Sequence, residues 1–170
     1  MSPVFKFADP IDKEYELGDE IDHTEHFQAL NSLSTVSYRY IDLDKTPYNF
    51  QQSCFDNKDA RSYFEFMSML TSEPFNILYD ERDDNWHLNP NNYEKDHRFQ
   101  SLVDEALGLK KKLRIECQPS FYHFALYTNQ NADRSTKVKS PRIYFFIGAD
   151  AVIYPLFFDP YHEINPMSTQ

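Results

Sequence analysis

The chain has 170 residues, 41% of them apolar, with 15 Phe, 12 Tyr and a net charge of −10. This length and aromatic content suit one folded domain and exclude disorder throughout, since each buried ring removes roughly 150–250 Å² from water. With only Gly18, Gly108 and Gly148 as glycines, a Gly-rich phosphate loop is excluded, and the acidic balance disfavours nonspecific binding to nucleic acid or anionic membranes.

The charge is uneven. Residues 1–94 carry 7 Lys+Arg against 19 Asp+Glu, a net of −12, whereas residues 95–170 carry 10 against 8, a net of +2. Residues 8–26 hold eight carboxylates and one lysine, which reads as a solvated acidic arm. We therefore divide the chain into an acidic N-terminal arm over 1–34 and a single α/β domain over 35–170. Within the arm His23 and His26 lie three apart, but no third and fourth ligand follow at metal spacing. Cys54 and Cys117 form no CxxC pair and are expected to be reduced thiols. No apolar run reaches 18 residues and no signal-like start is present, so a cytoplasmic protein without a membrane partner, metal or cofactor is expected.

In chain order, TVSYRYIDLD at 35–44 alternates aromatic and branched residues with polar ones and predicts the first strand. Residues 58–70 place Tyr63, Phe66, Met67 and Leu70 at helical spacing, with Asp56, Asn57 or Asp59 as N-cap and Pro74 just past the end. Residues 79–96, dense in Asp, Asn and Pro, read as a surface loop. Its acids Asp80, Glu81, Asp83 and Asp84 lack the strand lysine that a metal-dependent nuclease would use. A second helix is predicted over 96–108, with Phe99, Leu102, Val103, Ala106 and Leu107 on one face and Gly108 at the C-terminal cap. Lys110, Lys111, Lys112 and Arg114 follow; they either complement the helix dipole or bind nucleic-acid phosphate.

Three strands close the chain. Residues 120–128 have apolar residues on both faces, and 141–148 and 151–158 flank GADA as a hairpin whose Gly148 and Asp150 tolerate positive φ. Pro155 cannot donate to a ladder and marks a bulge or an edge. The predicted fold is α+β, an antiparallel sheet with two helices on one face.

The element order β-α-α-β-β-β and the hairpin PRIYFFIGADAVIYPLFFDPYH resemble the toxin superfamily that includes the RelE, ParE and HigB groups, over about residues 35–162. The resemblance implies a small toxin-type protein that acts on RNA or the translation machinery, and partners such as the ribosome and an antitoxin. The chain departs from that pattern in its acidity and in carrying FFDPYHEINP where family members carry Lys and Arg, which implies degenerate catalysis. RNA cleavage needs a base, an acid and a cation on phosphate. His162, Tyr161, Arg142, His123 and Glu163 are the residue types able to serve. Each also has a structural reading: a core histidine, an edge-blunting arginine, a C-terminal latch. The alternative function is a noncatalytic acidic interaction protein, an inhibitor or nucleic-acid mimic that binds a basic partner.

Overall fold

Helix α1, Asn57–Leu70, begins where its sequence offers reciprocal capping. The Asp56 side chain accepts from the backbone N–H groups of Lys58 and Asp59, and the Asp59 side chain accepts from Asp56 N–H, so donors that a helix start leaves orphaned are satisfied. Its buried stripe is Tyr63, Phe66, Met67 and Leu70, the face expected from the spacing. A short helix, α2 (Phe75–Asp80), follows directly and buries Phe75. Helix α3, His97–Leu107, starts at the Asp96 cap and stops at Gly108, whose φ of 67° gives the left-handed turn that favours glycine. The structure, a computed structural model, describes residues 30–51, 55–80, 87–109, 119–148 and 151–166.

The described strands are β1 (Thr35–Val36), β2 (Asn89–Asn91), β3 (Ser120–Ala125), β4 (Arg142–Ile147) and β5 (Val152–Asp159). They form one sheet in the order β1-β5-β4-β3-β2. The β2, β3, β4 and β5 pairings are antiparallel, whereas β1 runs parallel to β5. The sheet is thus mixed, where an antiparallel one was expected. The described order also contains two elements that the expected β-α-α-β-β-β lacks, α2 and β2. Strand β2 reads NPN and resembles a turn in sequence; Pro90 is accommodated because β2 is the outer one of the described strands and pairs among them with β3 alone.

The helices lie on opposite faces of the sheet, not on one. α1 and α2 pack with Tyr122, Phe124, Ile143, Phe145 and Phe158, and the Phe66 ring stacks on Phe124. α3 packs with Phe121, Tyr144, Phe146, Leu156 and Phe157. Helices predicted to share a face each carry one apolar stripe, but β3 and β4 are apolar on both faces and need a cover on each.

Two local devices shape the sheet. The pairing register shifts between Tyr144 and Phe145, so that Tyr144 faces Phe157 while Phe145 faces Pro155. Leu156 is the extra residue of this bulge. It inverts the in-out alternation, and consecutive Leu156 and Phe157 both join the α3 side. Pro155 thus sits at the bulge that its missing donor anticipated.

The second device ends β1 after two residues, although the pattern over 35–44 predicts a longer strand. Ser37 N–H still bonds to Ile153 O at 2.9 Å and Asp42 N–H to Leu156 O at 2.9 Å. The Asp42 carboxylate, 1% exposed, accepts from the N–H groups of Asp44, Lys45 and Thr46. An aspartate that bonds its own downstream backbone competes with strand pairing and turns the chain.

In the hairpin, Gly148 N–H bonds to Val152 O, and the positive φ in its described part belongs to Ala151, at 57°. Gly148 serves by close approach: a Cβ there would meet Tyr154 Cε2 at 2.8 Å. Asp150, Cys54, Cys117 and arm residues 1–29 lie outside the described residues.

Candidate functional site

The end of the sheet where β4 starts and β5 stops gathers four of the five residues singled out from sequence. Arg142 opens β4 opposite Ala125 on β3 and Asp159 on β5. Two residues on, Tyr144 lies opposite His123. Cross-strand partners share a face and so do residues i and i+2, so His123, Arg142, Tyr144 and Asp159 line one face of this corner. His162 completes it from the following loop, its ring centroid 6.5 Å from that of His123. Tyr161 is its neighbour, on the rim.

Asp159 organises that loop. Its side chain, 0% exposed, accepts from Tyr161 N–H at 3.2 Å and Ile164 N–H at 2.7 Å. This clamp places His162 at φ 58°, a left-handed conformation that histidine adopts more readily than most residues other than glycine. Burial raises the Asp159 pKa, opposed by its backbone hydrogen bonds.

Arg142 is 2% exposed. Its Nη1 donates towards Tyr127 O, Ser140 O, Ser140 Oγ and Pro141 O at 3.1–3.3 Å. Burial lowers its pKa, while the nearby Tyr144 and Asp159 oppose the shift. The guanidinium thus ties the 127–141 segment to β4. His123, 8% exposed, places Nδ1 3.0 Å from the Asn91 side-chain oxygen and packs its ring near Tyr144 at 5.2 Å. Burial, then the charges of Arg142, His162 and His87, push its pKa down to about 3. Burial, Arg142 and His87 likewise lower His162 to about 4. Both imidazoles are therefore neutral at pH 7. They are far from the range where an imidazole is an effective general acid-base pair.

Glu163 is engaged elsewhere. It accepts both Nε and Nη2 of Arg134, at 3.0 and 2.7 Å, and the Arg134 guanidinium lies 5.3 Å from the Tyr161 ring. Across from this pair, Arg98 of α3 donates to the Tyr48 hydroxyl at 2.5 Å and lies 5.8 Å from that ring. The two Arg/Tyr pairs, with His162, Asp133, Gln130 and the prolines 47 and 166, line an open cleft of about 860 Å³. Its charges balance, Arg98 and Arg134 against Asp133 and Glu163.

Sequence reasoning missed Tyr48, Arg98, Arg134 and Asp159. Asp159 carried a signal: an acid that ends an apolar strand and precedes proline is a natural loop clamp. Tyr48, Arg98 and Arg134 carried none, because they come from three separate segments that only the fold brings together. Lys110, Lys111, Lys112 and Arg114 lie outside the described residues. Among the described residues no three His, Cys, Asp or Glu side chains gather as a metal site, and no helix is long and apolar enough to cross a membrane. Comparison with known protein families, curated proteins and solved structures finds no match to this chain.

Proposed function

We propose that this protein acts by binding, without catalysis, and that its cleft receives a segment of a partner protein. One contrast supports the reading. Of the acid-base groups, His123 and Asp159 are buried and hydrogen-bonded, to Asn91 of β2 and to the loop after β5, and at the cleft the pKa of His162 is pushed down to about 4 while Glu163 is paired with Arg134, whereas the cleft also presents two tyrosines and two arginines. Tyr and Arg are the side chains most enriched at energetically dominant positions of protein interfaces. A balanced cleft does not select a polyanion, and the net charge of −10 favours encounter with a partner that is basic overall.

The test is selection from a displayed peptide library with free C-termini on the immobilised full chain, alongside incubation of the protein with structured and single-stranded RNA. The reading expects an enriched peptide motif whose binding drops at least tenfold in Tyr161→Ala and Arg98→Ala, and RNA that stays intact. RNA cleavage that is abolished by His162→Ala would overturn it, as would enriched peptides that bind those cleft variants unchanged.

A further inference from the structure

Four charged side chains line the cleft, and two of them already satisfy each other: Arg134 spends Nε and Nη2 on the Glu163 carboxylate. Arg98 and Asp133 are different. Among the described residues neither has an oppositely charged group within ion-pair distance, although both line the same cleft. They come from separate elements, α3 and the loop between β3 and β4. Each is nonetheless held in place. Arg98 Nη2 donates to the hydroxyl of Tyr48, a residue 5% exposed, which fixes the guanidinium and leaves it further N–H groups for a ligand. Asp133 opens a tight turn: its N–H bonds to Val138 O at 2.9 Å, Val138 N–H returns to Asp133 O at 3.1 Å, and its side chain accepts from Ser135 N–H at 2.6 Å.

Two fixed charges of opposite sign that do not reach each other match a ligand that carries both. A polyanion would set charge against Asp133 and Glu163, and a polycation against Arg98 and Arg134; like charges brought together at an interface are strongly penalised. A segment with one acidic and one basic side chain meets neither penalty. The guanidinium suits the acid, because its planar fork meets a carboxylate with two parallel hydrogen bonds. Held by Tyr48, it also has little freedom left to lose on binding. Asp133 is acceptor-only and suits an ammonium or guanidinium group. We infer that the cleft selects its partner segment by charge pattern, taking an Asp or Glu side chain on Arg98 and a Lys or Arg side chain on Asp133. The Arg134 and Glu163 pair stays closed and adds no net charge. This deepens the binding reading above and rests on it.

The experiment remakes peptides selected on the full chain, with each acidic residue changed to Lys and each basic residue to Glu, one at a time. Binding is measured by fluorescence anisotropy to the wild-type protein, Arg98→Glu and Asp133→Lys. One acidic and one basic peptide position should each cost at least tenfold on the wild-type protein when reversed. Arg98→Glu should restore most of the affinity of the peptide reversed at its acid and none at its base, and Asp133→Lys should do the opposite. Where a reversal unfolds the chain by circular dichroism, Arg98→Gln and Asp133→Asn replace it, and the matching peptide change should then cost less than about threefold. Peptides that need Tyr161 but have no critical charge, or whose reversals are not restored by the matching variant, would overturn the charge pattern and leave the binding reading standing. A critical acid that is the peptide's own C-terminal carboxylate, lost on amidation, would overturn the side-chain assignment. A library that yields no binder, or binders indifferent to Tyr161→Ala and Arg98→Ala, would overturn the binding reading and this inference with it.

Discussion

Mild acid should destabilise this protein through His123. The ring is 8% exposed, and its pKa is pushed from 6.5 down to about 3, by burial first and then by Arg142. The unfolded chain takes up a proton near pH 6.5 while the folded one stays neutral until about pH 3, so the unfolded state binds more protons across that window and stability falls as the pH drops. The gap corresponds to about 5 kcal/mol over the whole window, at ~1.4 kcal/mol per pH unit. About 2 kcal/mol of this is lost between pH 7 and pH 5. His162 acts in the same direction, by less, because solvent screens its half-exposed ring. Asp159, whose pKa is raised mainly by burial, acts in the opposite direction and partly offsets the loss at lower pH. Domains have about 5–15 kcal/mol in total, so the effect is measurable. Urea melts followed by far-UV circular dichroism at pH 7, 6 and 5 should show the decline, and His123→Gln should flatten it by about 2 kcal/mol over that range. Equal pH dependence in the wild-type protein and His123→Gln would refute the argument, because it would mean that the buried ring titrates normally or is not the group responsible.

Three further outcomes test the packing. Phe66→Ala removes a fully buried ring stacked on Phe124 and should cost about 3–5 kcal/mol in a chemical melt. Asp59, 0% exposed, accepts from Lys139 and from the Tyr127 hydroxyl. Asp59→Ala should therefore cost about 1–3 kcal/mol in a chemical melt by removing the acceptor of the Tyr127 hydroxyl and one of the two carboxylates on Lys139, which keeps Asp56, and the cost should be smaller in a Tyr127→Phe background. Gly148→Ala drives a methyl group into the Tyr154 ring and should cost about 1–3 kcal/mol; a much smaller cost in a Tyr154→Ala background would show that the ring is the obstacle.

What could be read from the sequence was local. Helices α1 and α3 announce themselves because Tyr63, Phe66, Met67 and Leu70, or Phe99, Leu102, Val103 and Ala106, repeat at the helical period, and Asp56 and Gly108 mark ends whose orphaned backbone groups need partners. The β4–β5 hairpin and the irregularity at Pro155 were legible for the same reason: a missing N–H is a property of one residue. Which face each helix covers was decided by tertiary structure, since β3 and β4 are apolar on both sides and one amphipathic helix fits either. The bulge at Leu156, which sends two consecutive residues to one side, and the Asp42 clamp that cuts β1 short depend on pairings across dozens of residues. The proximity of His123, Arg142 and His162 followed from strand register, but their burial did not. Whether a histidine or arginine is a working group or a fixed one is set by what packs around it, and that shell is assembled here from strands β2, β3, β4 and β5 and from loops distant in the chain.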